Sequence, residues 1–246
     1  MVTVRTTEAA GQTFRIHSSV HPAPDAHYVL LHGIGMSHRY LRRLHEVLAE
    51  RACVHSLDLP GYAGLPEPAR NLSVSEMGAA IGAVIRHVAA GPVVIVGHSM
   101  GAQWAVEVAR GRADLVSHVV MIGPVADDRR RHPVAQAMAL GIDSCVEPPV
   151  ANAIVFTDYL RCGPRWYLRQ LRHMLTYPIE QRVAELAVPL LIIRGGVDPV
   201  ATRGWCRRLR DAAVGSLVEV PGRPHIVQHA APRAVASAIR AFTGRS

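Results

Sequence analysis

The chain reads as an α/β protein built on a mostly parallel sheet with helices on both faces. Three observations predict it. Short β-branched apolar runs alternate with amphipathic stretches along most of the length, as in layered α/β folds. The runs are apolar at consecutive positions, as in Val93-Val94-Ile95-Val96 and Leu190-Leu191-Ile192-Ile193, which suits strands buried on both faces. One run also ends abruptly in Gly97-His98-Ser99-Met100-Gly101 and passes directly into the helical pattern Ala102 to Ala109. A length of 246 residues suits one well-buried domain with a modest insertion.

The elements follow in order. Thr13 to His17 alternates like an early edge strand, paired with Val2 to Arg5. Tyr28 to Leu31 is a short buried strand that stops at His32-Gly33-Ile34-Gly35. Ser37 to Arg51 is amphipathic, with Tyr40, Leu41, Leu44, Val47 and Leu48 on one side. Cys53 to Leu57 is the next strand, closed by Asp58-Leu59-Pro60-Gly61-Tyr62-Ala63-Gly64. Ser73 with Glu76 three residues on forms a capping-box pattern ahead of the stripe Met77, Ile81, Val84, Ile85 and Val88. After Val93 to Val96 and the Ser99 turn comes a strand at His118 to Ile122. Between Val125 and Ala187 the alternation breaks into helical pieces rich in Arg, Met, Tyr and Leu. It resumes with a strand at Val188 to Arg194, a helix over Thr202 to Ala212, a strand at Leu217 to Val220 and a last helix from about Ala231 to Phe242.

Composition excludes several classes. A hydrophobic fraction of 49% with only 19% charged residues argues against disorder. No apolar run approaches membrane-spanning length, and the N-terminus lacks a signal-peptide pattern, so the expected location is cytoplasmic and no membrane partner is implied. The net charge of +8 comes from arginine alone, since the chain has no lysine. Those arginines are dispersed and lack aromatic interleaving, which argues against nucleic acid as a partner. Cys53, Cys145, Cys162 and Cys206 are scattered like free thiols. No glycine-rich phosphate loop and no metal-ligand spacing appears, so no cofactor and no metal is expected.

Gly-x-Ser-x-Gly between a buried strand and a helix holds a serine in a sharp turn, with its hydroxyl exposed and a helix N-terminus behind it. Serine is a poor nucleophile at neutral pH; it needs a base, and the base needs an orienting acid. Two downstream loops supply them at strand ends, where active sites of such sheets lie. Asp198 follows the strand ending at Arg194. His225, among 14 histidines, stands in the loop between the last strand and the last helix. Asp198 also has a bland alternative as a turn residue before Pro199, and Asp127 and Asp128 follow an earlier strand end. Asp58 reads as a loop-shaping residue.

With these residues in view, the chain resembles the α/β-hydrolase fold superfamily, in particular its cap-bearing serine esterases, lipases and C–C hydrolases. The resemblance runs through His32-Gly33, the Asp58 to Gly64 loop, the Ser99 turn and the Asp198 and His225 loops, in the order Ser, Asp, His. It implies Ser99 as nucleophile, His225 as general base then acid, and Asp198 as the orienting carboxylate. It implies backbone N–H groups of Ile34 and Met100 as the oxyanion hole. It also implies residues 1–124 and 188–246 as the hydrolase core and 125–187 as a helical cap.

The resemblance makes a carboxylic ester, thioester or lactone the expected substrate, a small and apolar acyl compound, for a monomer or homodimer. C–C bond hydrolysis, acyl transfer to an internal nucleophile (a cyclase or acyltransferase) and non-catalytic ligand binding remain alternatives. Relatives that cleave C–C bonds often carry an aromatic residue after the histidine, where this chain has Ile226. Met36, Trp166 and Tyr167, with Met138, Leu140 and Met174, are expected to line an apolar pocket, and Arg165 and Arg161 to offer anion contacts.

Overall fold

In the computed structural model, residues 2–147 and 149–244 are described, side chains included except those of Cys145 and Val146. Eight strands form one sheet: β1 (Thr3–Ala9), β2 (Gln12–Ser19), β3 (His27–Leu31), β4 (Cys53–Asp58), β5 (Val93–His98), β6 (Val116–Ile122), β7 (Leu190–Gly195) and β8 (Ser216–Val220). Their order across the sheet is β1-β2-β4-β3-β5-β6-β7-β8. β1 and β2 form an antiparallel hairpin, with Thr3 opposite Ser18, through the left-handed pair Ala10-Gly11. β2 is antiparallel to β4, and β3 to β8 with β4 run parallel.

The consecutive apolar residues of the central strands divide between two cores, as the period of two requires. Val29, Leu31, Ile95, Val119, Met121 and Ile192 face one core, which also holds α2 (Val74–Val88), α3 (Met100–Gly111) and α8 (Arg203–Ala212). Leu30, Val94, Val96, Val120, Ile122 and Ile193 face the other, with α1 (Arg42–Leu48), α9 (Val227–Ala230) and α10 (Pro232–Phe242). The capping box forms at the start of α2, where Glu76 N–H donates to Ser73 Oγ and Ser73 N–H to the Glu76 carboxylate. Thr202 caps α8 in the same manner, accepting from Trp205 N–H. The stretch expected as one helix over Ser37 to Arg51 is instead a 3₁₀ turn at His38–Tyr40 followed by α1, with Ser37 capping the turn.

Between β6 and β7 the chain leaves the sheet for α4 (Pro133–Val146), α5 (Pro149–Cys162), α6 (Pro164–Thr176) and α7 (Ile179–Val183). α4 and α5 reach over the carboxyl ends of the strands. α7 returns to pack against α3 and α8. Cys53, Cys162 and Cys206 are free and buried; the Cys145 side chain lies outside the described residues. Among the described residues, no helix is long and apolar enough to cross a membrane.

Candidate active site

β5 runs straight into α3 with a single residue, Ser99, between them. Its φ of 56° and ψ of −123° lie where side-chain-bearing residues are strained, at a cost of about 1–3 kcal/mol. The surroundings hold it there. Ser99 N–H donates to the Ile122 carbonyl at 2.9 Å. A β-carbon on Gly97 would overlap the Gly101 carbonyl, and one on Gly101 would sit 2.6 Å from the carbonyl oxygens of Leu31 and His32. Only two glycines let strand and helix approach this closely, which is the physical content of the Gly-x-Ser-x-Gly spacing.

The loops after β7 and β8 bring Asp198 and His225 together. Asp198 Oδ2 lies 2.9 Å from His225 Nδ1, while its Oδ1 accepts from the N–H groups of Val200 and Ala201 at 2.8 and 2.9 Å. A carboxylate so held can only accept, so Nδ1 carries the proton and Nε2 of the neutral ring is the free lone pair. Burial alone would raise the Asp198 pKa; the His225 charge and hydrogen bond and the two backbone donors outweigh it and bring it down. His225 Nε2 is buried without a hydrogen-bond partner, in the cavity that Ser99 also lines. The end of β6 makes room for the ring, for at Gly123 (φ 55°) a β-carbon would stand 2.9 Å from His225 Cε1. Asp127 and Asp128 are engaged elsewhere, by Arg208, and Asp127 also by Thr202.

A second buried relay joins three loops. His98 Nε2 lies 3.1 Å from the His225 carbonyl, which can only accept, so Nε2 is the donor. Nδ1 must then accept, and it does so from the Tyr40 hydroxyl at 2.7 Å. The same oxygen accepts the N–H of Gly33 at 2.6 Å. Burial pushes the His98 pKa down to about 3 and the Tyr40 phenol well up, so both stay neutral and the relay keeps this direction. Tyr40 was visible in the sequence only as a core residue.

The cavity has a volume of about 170 Å³ and opens to solvent. Ile34, Met36, Leu140 and Met174 line it. Ile34 N–H makes no backbone hydrogen bond among the described residues. Met100 N–H, the first of α3, has no intrahelical acceptor. The Met100 side chain turns into the core.

Other expected pocket residues lie elsewhere. Trp166 is fully buried against Tyr62 and Gly61, because α6 turns this residue onto the loop after β4. Tyr167 packs on Tyr159 behind the cavity wall. Arg165, Arg161 and Met138 face solvent. In their place α4 and α5 contribute Gln136, Asp143, Glu147, Asn152 and Tyr159. Asp143 Oδ1 accepts the His225 N–H at 2.8 Å and Glu147 Oε1 the Ile226 N–H at 2.7 Å. An acidic pair four residues apart, one on α4 and one just after its end, in a largely apolar stretch was the available signal.

These groups set the local electrostatics. Burial raises the Asp143 pKa, and burial with the Asp143 charge raises that of Glu147 to about 7 against the Ile226 N–H. Burial would lower His225, but the Asp198 charge and hydrogen bond, then Asp143 and Glu147, push it up to about 9.

Apart from this site, His17, His38 and Asp58 converge in a way their sequence spacing conceals, with potential ligand atoms within 4.8 Å of one another. Asp58 is fully buried and bonded to His17 Nε2 at 3.0 Å and to His38 N–H at 2.7 Å, with Arg15 3.6 Å away. The carboxylate is thus satisfied by protons and a guanidinium, in keeping with a structural part in its loop.

Fold and site together define a class, the α/β proteins with a strained serine turn and an Asp–His pair at the carboxyl ends of the strands. The sequence matches the model of the alpha/beta hydrolase family over residues 28–238, and the chain belongs to that family. No curated protein matches it in sequence. Among solved structures it is similar to an enol-lactonase from Burkholderia xenovorans LB400, with a TM-score of 0.82 at 18% identity over 98% of this chain and 100% of that one. It is similar to E-2-(acetamidomethylene)succinate hydrolase, with a TM-score of 0.80 at 20% identity over 99% and 100%. A thioesterase domain from the curacin biosynthetic pathway gives 0.73 at 17% identity over 97% and 99%. At these identities the likeness is one of fold.

Proposed function

We propose that the protein is a serine hydrolase that cleaves a carboxylic ester, thioester or lactone through an acyl-enzyme on Ser99, with residues 125–187 serving as a cap. The observation that carries this reading is His225, held by Asp198 through Nδ1 with its Nε2 unpartnered in the cavity beside a strained serine. An Asp-oriented imidazole with its other nitrogen open, lining the same cavity as a serine hydroxyl, supplies the groups that nucleophilic catalysis needs.

In the first half-reaction His225 Nε2 takes the Ser99 proton as Oγ attacks the carbonyl carbon. The resulting oxyanion is held by the N–H groups of Ile34 and Met100. Asp198 stabilises the imidazolium without taking its proton. The imidazolium then protonates the leaving oxygen or sulfur, and the bond to it breaks. In the second half-reaction water, deprotonated by His225, attacks the acyl carbon, and the collapse returns the proton to Ser99 Oγ. A lactone would undergo the same steps with the leaving alcohol tethered to its acyl group.

Labelling with a fluorophosphonate tests the reading. The wild-type protein is expected to gain one adduct on the peptide containing Ser99, and Ser99→Ala to gain none. Absence of labelling together with absence of short-chain aryl ester cleavage would overturn it.

A further inference from the structure

The cavity's polar lining is one-sided. Its side-chain donors are largely spent within the protein. Tyr40 donates to His98, Ser144 to the Leu140 carbonyl at 2.9 Å, and the Asn152 amide to the Ser144 carbonyl at 2.8 Å. The Gln136 amide nitrogen is directed at the Arg130 carbonyl, 3.5 Å away. Away from Ser99, His225 and the Ile34 loop, what remains open is a set of acceptors. Glu147 Oε2 and Gln136 Oε1 are buried with no partner, on residues only 6% and 4% exposed.

Asp143 and Glu147 each use one oxygen on the backbone of the His225 loop, so both carboxylates are anchored one helical turn apart, facing the cavity. Among the described residues that line the cavity there is no arginine and the chain has no lysine, so His225, already paired with Asp198, is the one cation beside the two carboxylates. Burial raises the pKa values of Asp143 and Glu147, with neighbouring carboxylates adding to it, and the Asp198, Asp143 and Glu147 charges raise that of His225. Placed against this pair, away from the donors at Ser99 and His225, a ligand carboxylate would lose its hydration and gain no partner. A cation that donates hydrogen bonds would satisfy the orphaned oxygens and pair with the charge.

We propose that this cavity selects substrates carrying a protonated amine, seated against Glu147 and Asp143 beneath α4, and turns carboxylate-bearing substrates away. The bond that is cut rests on the serine hydrolase reading above; the amine preference is a property of the cavity and is measured separately.

Calorimetric titration of the full chain with n-hexylamine hydrochloride, hexan-1-ol and sodium hexanoate at about pH 8 tests it, since the amine is then cationic and free carboxylates ionised. The amine is expected to bind at least about tenfold more tightly than either the alcohol or the carboxylate. Glu147→Gln and Asp143→Asn keep an oxygen for the backbone N–H groups while removing charge. The double variant, checked for an intact Tm, is expected to bring the amine to within about twofold of the alcohol.

Hexanoate binding as tightly as the amine would overturn the proposal, and so would an amine preference that survives in the double variant. Should the variants fail to fold, the order of the three ligands on the wild-type protein decides. The amine is also expected to slow fluorophosphonate labelling of Ser99. A protein that neither labels nor cleaves short-chain aryl esters but still prefers the amine would refute the serine hydrolase reading and leave the preference standing.

Discussion

Replacing Tyr40 by Phe removes one oxygen from the middle of the protein and leaves the ring that fills the space. That oxygen satisfies two buried groups, the Gly33 N–H at 2.6 Å and His98 Nδ1 at 2.7 Å. Tyr40 is 2% exposed and His98 likewise, so water reaches neither group readily. A buried polar group stranded in this way costs about 1–3 kcal/mol, so the pair gives a loss of about 2–6 kcal/mol. For a chain of this size each kcal/mol moves Tm by about 2–4 °C, so the variant should melt at least roughly 4 °C below the wild type. Urea unfolding followed by circular dichroism measures the loss directly, and a cycle with His98→Ala isolates the shared hydrogen bond. The two substitutions should be non-additive by more than about 0.5 kcal/mol. A Tyr40→Phe protein within about 0.5 kcal/mol of the wild type would refute the relay, because no buried partner would then have been lost.

Other outcomes follow from the same coordinates. In the proposed mechanism His225 acts as a base only when neutral, and its pKa is raised to about 9, so kcat/KM should climb with pH to an inflection above the free-histidine value of about 6.5. A pH–rate profile with its inflection at or below that value would contradict the field described. Because the folded pKa is the higher one, the Asp198–His225 pair contributes stability fully below about pH 6.5 that fades as pH rises through about 9; stability and activity should therefore change in opposite directions over that window. Gly123→Ala would set a methyl group 2.9 Å from His225 Cε1 at a φ of 55°, and steady-state assays should show at least about a tenfold loss in kcat/KM from the misplaced ring. Ser73→Ala removes one half of the capping box of α2 and should lower stability by about 1 kcal/mol with kcat/KM unchanged, measured by chemical denaturation and ester hydrolysis.

The strands were legible because burial on both faces leaves a plain signature, and Val93 to Val96 divides between the two cores as that signature requires. Asp198 and His225 were legible for a related reason. In a parallel sheet the loops after successive strands meet at one edge, so position after a strand already says where a residue ends up. The wall under α4 was not legible. Periodicity shows that α6 has an apolar face but not what it faces, and Trp166 on that face went to the core against Tyr62. Asp143 and Glu147 acquire meaning only through the His225 and Ile226 N–H groups, some eighty residues away in sequence. The same holds for His98, whose tautomer follows from a carbonyl on the opposite loop. The His17, His38 and Asp58 cluster likewise joins three separate segments and leaves no local trace.

The central claim is that an acyl group passes through Ser99. Intact and peptide mass spectrometry of the protein quenched during turnover of a panel of short-chain aryl esters, thioesters and lactones tests it most directly. The mass of the substrate's acyl group should appear on the peptide spanning Gly97 to Gly101, and Ser99→Ala should neither carry that mass nor turn over substrate. Turnover by the Ser99→Ala protein at the wild-type rate, or an acyl group carried on any other residue, would contradict the account.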